Sequence, residues 1–112
     1  MKLNKFRLSA VNLYLTYPKC NLGLDKVLDQ LKEHLSTQII KDYVIVREFH
    51  QDNTLHIHAY VKCARKVNIV NPNRLDLKNP ETGETYHGNY QPAKLPNKVI
   101  QYIMKDISHT SF

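Results

Sequence analysis

Between residues 55 and 63 apolar and polar side chains alternate: Leu55, Ile57, Ala59, Val61 and Cys63 hold the odd positions, His56, His58, Tyr60 and Lys62 the even ones. A period of two predicts a strand with a core side and a working side, and it sends His56 and His58 to the same face. A second strand-like run at 42–50 precedes it, and the intervening Gln51-Asp52-Asn53-Thr54 contains the turn formers Asp and Asn, which predicts a hairpin. Upstream, the segment 7–17 is aliphatic and aromatic and closes at Pro18, as a strand does when the next residue cannot extend the ladder. Leu24, Val27, Leu28, Leu31 and Leu35 then follow the spacing of one face of an amphipathic helix, with Lys26, Asp29, Lys32 and Glu33 on its solvated side.

From 66 to 89 the chain is polar and punctuated by Pro72, Pro80, Gly83 and Gly88, with a short apolar interlude at 75–77, which predicts strand fragments joined by loops. A last helix is expected over 96–107, with Pro96 in its first turn and Val99, Ile100, Ile103, Met104 and Ile107 as its apolar arc. This order predicts an α+β fold, an antiparallel sheet of about five strands of ferredoxin or RNA-recognition type, with helices packed on it.

Composition narrows the partners. Sixteen Lys and Arg against ten Asp and Glu leave a net charge of +6, which favours a polyanion such as nucleic acid. No apolar run approaches the roughly 18 residues that span a bilayer, so no membrane partner is expected and a soluble intracellular protein is the default. Cys20 and Cys63 are too few and too far apart for a disulfide scaffold or a zinc ribbon.

His56 and His58 alone would be two surface histidines. Glu48 changes their meaning if it stands opposite one of them, which needs an odd hairpin connection centred on Asp52 or Asn53; an even one would turn it to the core. The preceding strand leaves both registers open, because Val44 and Val46 share the phase of Glu48 while Tyr43, Ile45 and Phe49 hold the other. The cost of burying an unpaired carboxylate favours the arrangement that groups Glu48 with the histidines. Two His and one Glu would hold a divalent cation, with Mn²⁺ or Mg²⁺ suited to the carboxylate. On the last helix Tyr102 and Lys105 stand at i and i+3 beside Lys98 and Asp106, at the rim of the apolar arc. Tyr102 could attack phosphorus and remain as a phosphotyrosine, with Lys105 as the cation that stabilises the phenolate, the transition state or a neighbouring phosphate.

The segments Tyr14-Leu15-Thr16-Tyr17-Pro18-Lys19-Cys20, Arg47-Glu48 with His56-Ile57-His58, and Tyr102-Ile103-Met104-Lys105 resemble, in order, the three rolling-circle motifs of the HUH endonucleases. The closest likeness is to the N-terminal nicking domain of replication initiators of geminiviruses and related circular single-stranded DNA viruses. Arg74-Leu75-Asp76-Leu77 and the run from His87-Gly88-Asn89-Tyr90 to Lys94 resemble the additional segment that geminiviral initiators carry between their second and third motifs. Tyr14 stands where those motifs usually have Phe, and Leu75 where they carry a pair of phenylalanines.

The resemblance implies that Tyr102 is the nucleophile, that Glu48, His56 and His58 are metal ligands, and that Lys105 is the motif lysine. It implies nicking and joining of single-stranded DNA at a viral origin stem-loop, with a 3′-OH left for a polymerase, in a host nucleus among host replication proteins. It also implies that residues 1–112 form one domain, the N-terminal part of a longer initiator with oligomerisation and helicase regions. Contacts to the strand are expected from Tyr14, Thr16, Tyr17, Arg47, Tyr60, Asn89, Gln91, Lys94 and Lys98. The alternative from composition alone is a non-catalytic RNA-recognition-type domain. It lacks the glycine- and aromatic-rich strand signature and leaves the paired histidines unexplained. Phosphoryl transfer through a histidine nucleophile would want a further His where Tyr60 stands.

Overall fold

The computed structural model describes residues 5–105. The chain runs β1 (Leu8–Tyr17), α1 (Leu24–His34), β2 (Ile40–Phe49), β3 (Leu55–Ile69), β4 (Leu77–Lys78), β5 (Thr85–Tyr86), β6 (Asn89–Pro92) and α2 (Pro96–Met104). Four strands form one antiparallel sheet in the order β2-β3-β1-β6, and β4 pairs with β5 in a separate ribbon. The α+β class is as expected, with the strands divided between two sheets. The third strand runs six residues past Cys63, because Val67 and Ile69 continue the buried phase while Arg65, Lys66 and Asn68 stay in solvent. Of the helix expected over 96–107, Ile107 and Asp106 lie outside the described residues.

The sheet is covered on both faces. On one, Leu13, Leu15 and Tyr17 of β1 and Ile57, Ala59 and Val61 of β3 meet Val27, Leu31 and Leu35 from the α1 segment in the larger core. The predicted heptad-like leucines thus do what their spacing requires. Asp25 in the first turn of α1 and Lys32 and His34 in its last also complement the helix dipole.

The opposite face carries a smaller core in which Ile103 of α2 packs with Val46, Tyr60 and Ala93, flanked by Tyr14, Val44, Val99 and Ile100. Only part of that face is roofed, and the uncovered part is where the candidate chemistry lies. The loop before β6 closes against it at Gly88, where a Cβ would fall 2.3 Å from the carbonyl oxygen of Thr16.

Candidate metal centre and nicking cleft

The β2–β3 hairpin takes the odd register. Glu48 pairs with His56 and Val46 with His58, so the connection is centred on Asp52. The turn explains why: Asn53 N–H donates to the His50 carbonyl at 3.0 Å and Asn53 itself is left-handed at φ 66°, a three-residue hairpin loop ending in a residue that tolerates that conformation. Glu48 is thereby placed among the histidines rather than in the larger core.

Pairing carries the row across the sheet. Val46, His58, Thr16 and Asn89 lie side by side on β2, β3, β1 and β6, and the next row is Val44, Tyr60, Tyr14 and Gln91. Nε2 of His58 lies 3.0 Å and Nε2 of His50 2.9 Å from the same Oε1 of Glu48. Glu48, His50 and His58 offer ligand atoms that all lie within 4.8 Å of one another. His56 is on the same face, but its ring stacks flat on His50 with centroids 3.6 Å apart and planes 4° from parallel. Its Nε2 is 3.0 Å from Thr54 Oγ1. Burial, and after it the neighbouring His50, hold the His56 imidazole below the usual histidine range, which keeps it neutral and able to bind a cation.

This donor set fits a divalent cation. Two imidazole nitrogens converge on one carboxylate oxygen, and the buried Nδ1 of His58 has no hydrogen-bond partner. A carboxylate with imidazoles is a ligand mixture suited to Mn²⁺ and its neighbours in the first transition row.

Tyr102 projects from the last turn of α2 and is 54% exposed, and its ring meets that of His58 edge-on, centroids 6.4 Å apart at 85°. Lys105 caps the same helix and places Nζ 4.8 Å from the Tyr102 ring centroid, over the ring rather than at the hydroxyl. Tyr14 also stacks on His58, centroids 6.5 Å apart and planes 23° from parallel. Burial raises the Tyr14 phenol, and the nearby Tyr102 and Glu48 add to the rise, which makes Tyr14 a neutral platform beside the nucleophile candidate. Tyr14 and Tyr102 separate two clefts. One, of about 520 Å³, is lined by Thr16, His58, His87, Asn89 and Gln91. The other, of about 490 Å³, is lined by Lys94, Leu95, Lys98 and Val99.

Three of the expected strand contacts lie away from the clefts. Tyr60 is 3% exposed beneath α2, its hydroxyl donating to Asn12 Oδ1 at 2.7 Å. Tyr17 is fully buried in the larger core and donates to the Leu75 carbonyl at 2.7 Å. Neither ring offers a face to a base. Arg47 occupies the opposite phase from Glu48 and donates to the Leu22 carbonyl at 2.9 Å, on the α1 side of the sheet. Tyr14, Thr16, Asn89, Gln91, Lys94 and Lys98 do border the clefts. His50 and His87 also stand at the site and were not among the expected residues. The signal for His50 was its phase, shared with Glu48 two residues earlier.

The segment between the second and third motifs is tied together by Asp76. One carboxylate oxygen accepts from Tyr90 Oη at 2.7 Å and lies 2.6 Å from His87 Nδ1, while Gly88 N–H donates to Tyr90 Oη at 2.9 Å. His87 is thus held at the rim of the larger cleft by an acidic partner.

A small α+β domain with a carboxylate–imidazole cluster, and a tyrosine brought to it from a helix, defines the nicking domains of rolling-circle initiators. The comparison with known families agrees: residues 6–111 match the family described as "Geminivirus Rep catalytic domain", and the chain belongs to that family. Among curated relatives it is 38% identical over 103 residues to a replication-associated protein of Cabbage leaf curl virus (isolate Jamaica), covering 90% of this chain and 29% of the relative. It is 37% identical over 105 residues to the replication-associated protein A of Tobacco yellow dwarf virus (strain Australia), covering 94% of this chain and 34% of that protein. The chain therefore spans about a third of the length of the relatives it matches. Among the described residues no helix is long and apolar enough to cross a membrane.

Proposed function

We propose that this domain nicks and rejoins single-stranded DNA at a viral origin stem-loop to initiate rolling-circle replication. The observation that carries the reading is the edge-on contact of Tyr102 with His58, on the sheet face where His58 also meets Glu48. Tyr102 Oη attacks the phosphorus, its P–O bond forms as the bond to O3′ breaks, and the phenolic proton is given up as O3′ takes one to leave as a hydroxyl. The 5′ phosphate stays as an ester of Tyr102. One phosphoester replaces another, so the same residues run the step backwards and join strands.

Glu48, His56 and His58 would hold Mn²⁺ or Mg²⁺, which when bound polarises the phosphodiester and neutralises developing charge. Lys105, over the Tyr102 ring, steadies that ring by its charge and stands ready to pair with the phenolate or an adjacent phosphate. The two clefts that meet at Tyr14 and Tyr102 give the strand a path, with Lys94 and Lys98 toward phosphates and Asn89 and Gln91 toward base or sugar edges. Action in a host nucleus alongside host replication proteins is supported by family membership.

The test is a denaturing gel of an origin stem-loop oligonucleotide incubated with the domain and Mn²⁺. The expected product is a protein–DNA adduct that survives denaturation and is absent with Tyr102→Phe or a chelator. An adduct indifferent to Tyr102→Phe would overturn the assignment, and tight binding without cleavage would promote an RNA-recognition-type binder.

A further inference from the structure

His87 is fixed at its inner nitrogen and open at its outer one. Asp76 Oδ1 lies 2.6 Å from Nδ1 of His87 and also accepts from Tyr90 Oη at 2.7 Å, and the His87 and Tyr90 rings meet edge-on with centroids 5.5 Å apart. A carboxylate at Nδ1 keeps the proton there and orients the imidazole, which leaves Nε2 as the working atom. Among the described residues Nε2 of His87 has no hydrogen-bond partner, and the ring lines the same cleft as Tyr102 and His58.

Different elements supply the two sides of that cleft. α2, which brings Tyr102, packs on β2 and β3, whereas His87 enters from the loop before β6, at the opposite edge of the sheet. From His58 on β3 to Asn89 on β6 is two strand spacings, about 10 Å. A phosphorus seated between them has the phenol on one side and the imidazole on the other. An in-line displacement uses that arrangement, because the attacking and leaving oxygens stand on opposite sides of phosphorus.

We propose that His87 is a catalytic residue of the nicking step, the acid that protonates the leaving O3′, with Asp76 as its positioning residue. The inference rests on the reading of Tyr102 as nucleophile and supplies the proton donor for its leaving group. As Tyr102 Oη bonds to phosphorus and the P–O3′ bond breaks, the proton on Nε2 of the imidazolium passes to O3′, which leaves as a hydroxyl. The phenolic proton goes to solvent from the half-exposed Tyr102. In joining, neutral Nε2 takes the proton of the 3′-OH as that oxygen attacks phosphorus and the phenolate leaves. An alkoxide is a far stronger base than a phenolate, so O3′ is the oxygen that needs an acid.

The experiment compares two origin stem-loop oligonucleotides in Mn²⁺, one ordinary and one with sulfur in place of the scissile O3′. A thiolate leaves without a proton. His87→Ala and His87→Gln, the latter keeping an N–H for Asp76, are each expected to slow adduct formation on the ordinary oligonucleotide about a hundredfold and to stay within about threefold of wild type on the sulfur one. Asp76→Asn is expected to follow the same pattern with a loss of about tenfold. Thermal unfolding identifies the variants that keep the fold, and His87→Gln carries the conclusion if His87→Ala does not. Equal losses on both substrates in a folded variant, or wild-type rates on the ordinary one, would overturn the role of His87 and leave that of Tyr102 standing. Wild-type protein that forms no adduct would overturn the nicking reading itself, and this inference with it.

Discussion

Glu48 reaches across the hairpin so that its Oε1 sits 3.0 Å from Nε2 of His58, although the two residues are not register partners: Glu48 is paired with His56 and His58 with Val46. The diagonal contact gathers a carboxylate and an imidazole, and that imidazole is the one whose ring meets Tyr102 edge-on. Glu48→Gln keeps the size and one accepting oxygen but removes the charge. Adduct formation with an origin oligonucleotide should fall about a hundredfold or more, equivalent to about 2.7 kcal/mol of barrier, while thermal stability changes little. Rate measurements at saturating Mn²⁺ alongside thermal melts check this, and a rate within threefold of wild type contradicts it.

Tyr102 is held over the sheet by its neighbour in sequence. Ile103 is buried against Val46, Tyr60 and Ala93, so Ile103→Ala empties the smaller core beneath α2. A cost of about 2–5 kcal/mol is expected in urea unfolding. Adduct formation should drop even at temperatures where the variant is fully folded, because α2 loses its anchor and Tyr102 its position. A variant destabilised this much yet nicking at the wild-type rate would show that α2 is positioned by something else.

Two glycines should behave differently. Gly88→Ala drives a methyl group onto the Thr16 carbonyl, where a Cβ would lie 2.3 Å away, and onto the Tyr17 and Tyr90 rings. It should cost about 1–3 kcal/mol and impair nicking, since β6 carries Asn89 and Gln91 into the cleft. Gly83, at φ +80° with open space around it, should lose about 1 kcal/mol on substitution by Ala from backbone strain alone and nick normally. Paired melts and gel assays on both variants separate the two effects.

The alkaline limb of stability should depend on Tyr90. Burial, reinforced by the hydrogen bond to Asp76, pushes its phenol well above the ordinary value of 10.0. A folded-state pKa raised above the unfolded one gives stability that is complete below about pH 10 and is lost as pH rises above it. Unfolding free energy measured in urea from pH 8 to 11 should therefore decline less steeply in Tyr90→Phe than in wild type. Tyr90→Phe should also be less stable at pH 8 by about 1–2 kcal/mol, having lost its bonds to Asp76 and Gly88. Parallel curves for the two proteins would contradict the assignment.

Much of this was legible in the chain itself. The alternation at 55–63 and the leucine spacing from Leu24 to Leu35 each reported a face packed into the larger core, and the strand and the helix both form there. The register of the hairpin was not legible, for a physical reason. β2 is apolar in both phases because α1 covers one face of the sheet and α2 part of the other, so Val46 is as buried as Ile45. The same double cover hides Tyr60, whose even position suggested a working side chain. His50 shares the phase of Glu48, but phase alone does not tell a site residue from a surface one, and the grouping shows only in the fold, where Glu48, His50 and His58 come together.

The central claim is that Tyr102 carries the DNA. Trypsin cuts after Lys98 and Lys105, giving peptide 99–105 with Tyr102 as its one tyrosine. An adduct formed on an origin oligonucleotide, trimmed by nuclease, digested and analysed by fragmentation mass spectrometry should show a nucleotide phosphate on that residue of that peptide. The same modification found on Tyr14 or Tyr90 instead, with peptide 99–105 unmodified, would contradict the account.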